Sequence, residues 1–165
     1  MRKYLIAAAV LAALPAIAQP AAPPFTSLDK TGSETAVRHL TNADLGDTLK
    51  KAKKPTDFYA EALISKGAVY RVINTIRDKD GQAEIHADWA DHIFVQEGEA
   101  RFATGGMVVE AKVTAPGEQR GTSIKGGSVQ TMKPGDYFFI PAGTPHQMLV
   151  PAGGRIKFIA FKTHK

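Results

Sequence analysis

Beyond residue 57 the chain alternates short runs of β-branched and aromatic residues with glycine and proline. The runs read as strands over Phe58–Ile64, Ala68–Arg77, Gln82–His86, Asp91–Gln96, Ala100–Thr104, Met107–Thr114, Val129–Met132, Tyr137–Ile140, Gln147–Val150 and Arg155–Phe161. Turn residues such as Gly81, Gly98, Gly105-Gly106, Pro134-Gly135 and Gly153-Gly154 separate them. No long helix alternates with these strands, which argues against a parallel α/β sheet and for a closed barrel or double-sheet jelly roll. The segment Thr114–Gly127, with Pro116, Gly117 and Gly121, reads as an excursion at one end of that barrel. Ahead of the strands, Thr41 or Asn42 caps a short helix running to about Lys54. Asp44 sits near its positive end and the lysines near its negative end, and Pro55 stops it.

The first residues follow another pattern. Arg2 and Lys3 precede the almost wholly apolar Leu5–Leu14, and Ala16-Ile17-Ala18 supplies small residues for cleavage, so residues 1–18 read as a signal peptide. The apolar run is shorter than the roughly 20 residues a bilayer requires, and Pro15 interrupts it, which disfavours a retained anchor. The expected organisation is a signal peptide over 1–18, a flexible segment over 19–40, a short helix and connection over 41–57, and a β-barrel over 58–165. The signal peptide implies a periplasmic or secreted protein with no membrane association after cleavage.

Composition narrows the function classes. A net charge of +5, two units of which leave with the signal peptide, is too mild to imply a nucleic-acid partner. Lys50-Lys51 and Lys53-Lys54 read as a solvated helix face. There is no cysteine, unusual for an exported chain, so stability rests on the core, with 44% hydrophobic residues, and on any metal or partner subunit.

The densest local pattern runs from Pro134 to His146: a turn, a buried strand Tyr137–Ile140, a tight turn at Pro141-Ala142-Gly143, and a histidine behind Pro145. It resembles the second conserved motif of the cupin family, G-x5-P-x-G-x2-H, at Gly135, Pro141, Gly143 and His146; the motif's closing asparagine falls on Val150. The first motif, H-x-H-x3-4-E-x6-G, fits in one register, with Gly98 as its glycine. Asp91 then takes the carboxylate position, His86 the second histidine and Glu84 the first. The resemblance implies an all-β fold, a single jelly-roll barrel with a short N-terminal helix, and a metal set of Glu84, His86, Asp91 and His146.

Strand geometry bears on this set independently of the family. Glu84 and His86 share a face, while Asp91 pointing inward turns His92 and Phe94 outward. Two imidazoles with one or two carboxylates suit Mn, Fe, Zn, Ni or Co. In the competing interpretation His86 and His146 are hydrogen-bonded barrel residues, Glu84 faces solvent and Asp91 caps a turn. Trp89, in the loop joining the ligand strands, reads either as packing or as a roof over the pocket. Both faces of Tyr137–Ile140 are apolar, and with Phe94 they point to a homodimer.

The functional expectation is a metal-dependent enzyme of dioxygenase, isomerase or lyase type acting on a small organic molecule, with Glu84 a candidate general base where it is not a ligand. The alternative is a non-catalytic cupin that binds or senses a small ligand, with or without metal. A purely structural scaffold would instead have a barrel packed too tightly to admit a ligand.

Overall fold

The computed structural model describes residues 39–52, 59–67 and 69–165. The signal peptide, nearly all of the flexible segment and the helix stop at Pro55 lie outside the described residues. Helix α1 spans Asn42–Ala52. Thr41 caps it reciprocally: Asp44 N donates to Thr41 Oγ1 at 3.2 Å, and Thr41 N donates to Asp44 Oδ2 at 2.8 Å. Leu49 and Ala52 of α1 pack on Ala60 and Ile76, and the buried Asn74 donates to the Leu45 carbonyl at 2.9 Å. Among the described residues, no helix is long and apolar enough to cross a membrane.

The rest is antiparallel β-structure in two large sheets. The first orders β1 (Tyr59–Lys66), β2 (Tyr70–Arg77), β13 (Ile156–His164), β4 (Trp89–Gly98) and β11 (Tyr137–Ile140) as β1-β2-β13-β4-β11. The second orders β10 (Ser128–Met132), β5 (Ala100–Thr104), β12 (His146–Leu149), β3 (Ala83–His86), β8 (Glu118–Gly121) and β7 (Lys112–Ala115) as β10-β5-β12-β3-β8-β7. A two-stranded ribbon pairs β6 (Met107–Val109) with β9 (Ser123–Lys125). This is the all-β jelly-roll barrel expected from the turn-punctuated strands.

Period-two alternation builds the core. In β4, Asp91, Ile93 and Val95 are buried while Phe94 between them is exposed. The inward set meets Phe158 of β13, Phe102 of β5 and Met148 of β12 in one cluster. Gly98 ends β4 with φ 75°, and a Cβ there would run into the Arg155 carbonyl, so this turn requires glycine.

The observed strands depart from the expected ones where polar residues carry the chain. The single strand expected over Met107–Thr114 is two, β6 and β7, divided near Glu110, whose φ is 54°. The Thr114–Gly127 excursion contains β8, which enters the second sheet beside β3, as well as β9. The last strand runs three residues past Phe161 to His164 and so includes Lys162. Trp89 is the first residue of β4 rather than a loop residue; it pairs with His164, and Arg71 lies over its ring at 4.4 Å.

Candidate metal centre

Neighbouring strands deliver the donors in register. Glu84 and His86 project from the same face of β3, and His146, the first residue of β12, pairs directly with Glu84. The turn before His146 is tied to the same place, since Gly143, with φ 81°, donates its N–H to the His86 carbonyl at 2.7 Å. Among the described residues, donor atoms of Glu84, His86 and His146 all lie within 4.8 Å of one another. Asp91 approaches from the opposite sheet, its Oδ2 3.6 Å from His86 Nε2 and 3.5 Å from His146 Nε2. Asp91 is not part of that three-residue group. Its Oδ1 is instead 2.7 Å from Lys162 Nζ. The four residues singled out in the sequence thus lie side by side, three as a tight donor group and Asp91 against both imidazoles. His92 points outward, its Nδ1 2.7 Å from the Tyr137 hydroxyl.

The partners of these residues are what the sequence reading missed. His86 Nδ1 donates to Glu118 Oε2 at 2.6 Å, and Arg120 Nη1 grips Glu84 Oε1. Both residues lie on β8, where Glu118 pairs with His86 and Arg120 with Glu84. Lys162 of β13 is paired with Asp91 of β4 in the same way. The available signal was the Glu118-Gln119-Arg120 alternation behind the Pro116-Gly117 turn, which places both charges on one strand face.

The electrostatics follow from these pairs. Burial alone would raise the Glu84 carboxyl, but the His86 imidazole and the Arg120 guanidinium hold it well below the usual carboxylate range. Burial likewise opposes ionisation of Asp91, yet His146, Lys162 and His86 bring its pKa down to about 2. Desolvation disfavours charged His86, and its contacts with Glu118 and Glu84 outweigh that and raise its pKa. Glu118 is lowered by His86 despite partial burial.

The donor set can be tested against a metal from the hydrogen bonds. A carboxylate and a carbonyl only accept, so His86 Nδ1 facing Glu118 and His146 Nδ1 facing the Thr144 carbonyl at 3.0 Å both carry the proton in a neutral ring. Each Nε2 then turns a lone pair toward carboxylate oxygen, with Glu84 Oε2 3.2 Å from His86 Nε2 and Asp91 Oδ2 beside both rings. Acceptors facing acceptors in a buried site require a cation among them, a proton or a metal ion. Two imidazole nitrogens and a carboxylate oxygen fit a divalent transition ion. His86 Nε2 is buried without a satisfied hydrogen bond, as a ligand nitrogen should be.

A cavity of about 70 Å³ opens on this set, lined by Glu84, Asp91, His146 and Lys162 and floored by Phe102 and Phe158. The overpacked barrel of a purely structural scaffold is therefore not what is found.

No family model and no curated protein sequence matches the chain. Solved structures do. A Klebsiella pneumoniae protein with a double-stranded β-helix domain superposes with a TM-score of 0.56 at 13% identity, covering 78% of this chain and 91% of that one. A cupin-2 domain from Rhodospirillum rubrum aligns at 0.48 and 15% identity over 68% of this chain and 64% of that one. The polyketide cyclase RemF from Streptomyces resistomycificus aligns at 0.47 and 14% identity over 66% of each chain, just under two thirds of the cyclase's length.

Proposed function

The chain is built on the cupin fold, and we propose that its barrel holds a divalent transition metal on Glu84, His86 and His146 and works as a metal-dependent enzyme on a small organic molecule. The observation that carries this reading is the convergence of three donors within 4.8 Å while both histidine Nδ1 atoms are occupied elsewhere. When bound, a divalent ion supplies Lewis-acid polarisation of a ligand oxygen or an activated water. The remaining chemistry belongs to the chain. Arg120 restrains Glu84 through one oxygen and leaves the other toward the histidines, which favours Glu84 as a ligand over a general base. Asp91, ionised and held by Lys162, keeps an oxygen beside both imidazoles and is either a fourth ligand or a local proton acceptor. Metals of the Mn, Fe, Zn, Ni and Co series remain the candidates. Export to the periplasm or medium belongs to the same proposal, on the Arg2-Lys3 and Leu5–Leu14 pattern.

The test is elemental analysis of protein recovered from the periplasmic fraction or medium, with His86→Ala and His146→Ala alongside. One ion per chain in the wild type and none in either variant is expected. Metal retained by the variants would remove the assignment. Bound metal without turnover of any cavity-sized compound would favour a non-catalytic cupin that binds or senses its ligand.

A further inference from the structure

We propose that Arg120 and Lys162 are positioning residues that limit Glu84 and Asp91 to one coordinating oxygen each, and so keep part of the metal's coordination shell free for a ligand in the cavity. The proposal rests on the metal reading above.

A carboxylate can grip an ion through one oxygen or through both, whereas a neutral imidazole offers it a single nitrogen. Two imidazoles and two chelating carboxylates would fill an octahedral shell by themselves and leave a ligand no place on the ion. Glutamate at the position of the motif's first histidine aggravates this, because Glu84 brings a spare oxygen that a histidine would not.

Both spare oxygens are engaged from outside the donor set. Arg120 Nη1 holds Glu84 Oε1, which leaves Oε2 3.2 Å from His86 Nε2. Lys162 Nζ lies 2.7 Å from Asp91 Oδ1, which leaves Oδ2 3.6 Å from His86 Nε2 and 3.5 Å from His146 Nε2. The Lys162 contact is an ion pair rather than an aligned hydrogen bond, so it acts through charge. Register fixes both cations. Arg120 of β8 pairs with Glu84 of β3, and Lys162 of β13 with Asp91 of β4. Side chains directly opposite one another across antiparallel strands start only about 4.5–5.5 Å apart at Cβ, so each cation is tethered beside its carboxylate. Arg120 is braced further by Glu118, whose Oε2 is 3.8 Å from Nη2. The Lys162 side chain is 16% exposed, and turning Asp91 Oδ1 onto an ion would take that partner from a largely buried charge. A cavity of about 70 Å³ opens on Glu84, Asp91 and His146, so what the two carboxylates leave free is within reach of a small ligand.

Water-proton relaxation of Mn(II)-loaded protein tests the proposal, because it counts the water exchanging at the ion and a neutral probe does not answer to the lost charge. The wild type should keep about two exchanging waters, and Lys162→Met or Arg120→Met should each lower the relaxivity per bound ion by about half as the released carboxylate chelates. The double variant should approach an ion without exchanging water, and Lys162→Arg should keep the wild-type value. Each variant should load one ion per chain at least as tightly as wild type, since a nearby cation is removed and no donor is. The two residues lie on different sheets, so each single variant stands as a test by itself, with circular dichroism melting of the metal-free protein to show that it is folded. Relaxivity per ion unchanged in a folded single variant overturns the proposal, as does a fall accompanied by weaker metal binding, which would mean displaced donors. A loaded wild type without exchanging water overturns it too. Metal content of the same samples keeps the two readings apart, because a wild type that takes up no ion overturns the metal reading itself.

Discussion

Replacing Glu118 with alanine perturbs the metal centre without removing a donor. The Glu118 carboxylate accepts from His86 Nδ1 at 2.6 Å, a short charge-assisted bond that fixes the ring's tautomer and aims Nε2 at Glu84 and Asp91. Without it the proton can move to Nε2 and face the carboxylates directly, an arrangement that metal binding must then undo. Loss of such a partner behind a ligating histidine typically costs about 10–100-fold in metal affinity, or about 1.4–2.7 kcal/mol. The Glu118 side chain is 26% exposed, so solvent screens part of its charge and the lower half of that range is expected. Glu118→Gln keeps an acceptor without the charge and should fall between alanine and wild type. Chelator-competition titration gives the affinities, and circular dichroism melting of the metal-free proteins shows that each variant is folded. A folded Glu118→Ala protein whose affinity stays within about twofold of a stoichiometrically loading wild type would refute the reasoning.

Asp91 links the site to acid stability in the metal-free protein. Its folded pKa of about 2 lies below the ordinary aspartate value of 3.8, so its contribution is present above about pH 4 and is lost as pH falls toward 2. At about 1.4 kcal/mol per pKa unit, and with the side chain only 7% exposed, this amounts to about 2 kcal/mol at neutral pH. Urea denaturation across pH should show Asp91→Asn less stable by about that amount at pH 7 and with a shallower acid decline; an unchanged slope would count against the Lys162 and histidine contacts as its cause. On the outer face, Phe94, Tyr137 and Phe139 are 49–54% exposed beside His92, and a homodimer covering them is expected. Sedimentation should give a dimer that Phe139→Asp converts to monomer, and a monomeric wild type would end that expectation.

Much of the barrel could be read from the chain because its apolar strands alternate cleanly. Asp91-His92-Ile93-Phe94-Val95 shows inward and outward positions directly, and the structure buries Asp91, Ile93 and Val95 and leaves Phe94 exposed. The turn glycines marked where the chain reverses, and Gly98 and Gly143 have the positive φ that glycine serves best. β8 and its hairpin with β7 lack that pattern, so β7 reads only as the end of the longer strand Met107–Thr114 and β8 falls within the excursion. Lys112-Val113-Thr114-Ala115 is wholly exposed, and Glu118-Gln119-Arg120 contains no apolar residue. Its place in the sheet is set by pairing with β3, a long-range fact that local periodicity does not contain. Lys162 was missed for a related reason, since β13 continues past its apolar stretch into Lys162-Thr163-His164.

The same pairing explains how a centre with glutamate at a motif histidine position is held in place. A second carboxylate beside Asp91 adds negative charge to a buried site, and an uncompensated buried charge is costly. The compensation arrives by register: Arg120 stands opposite Glu84 and Lys162 opposite Asp91, each on the strand adjacent to its partner, while Glu118 opposite His86 orients the imidazole. Because side chains alternate along a strand, a one-residue slip of β8 would turn Arg120 and Glu118 to the other face together and leave Glu84 and His86 without these partners. The layer behind the donors is therefore a property of strand pairing, and the donors alone follow a local motif. Metal affinity should accordingly respond to substitutions in β8 as a unit, with Glu118 and Arg120 changes coupled rather than additive.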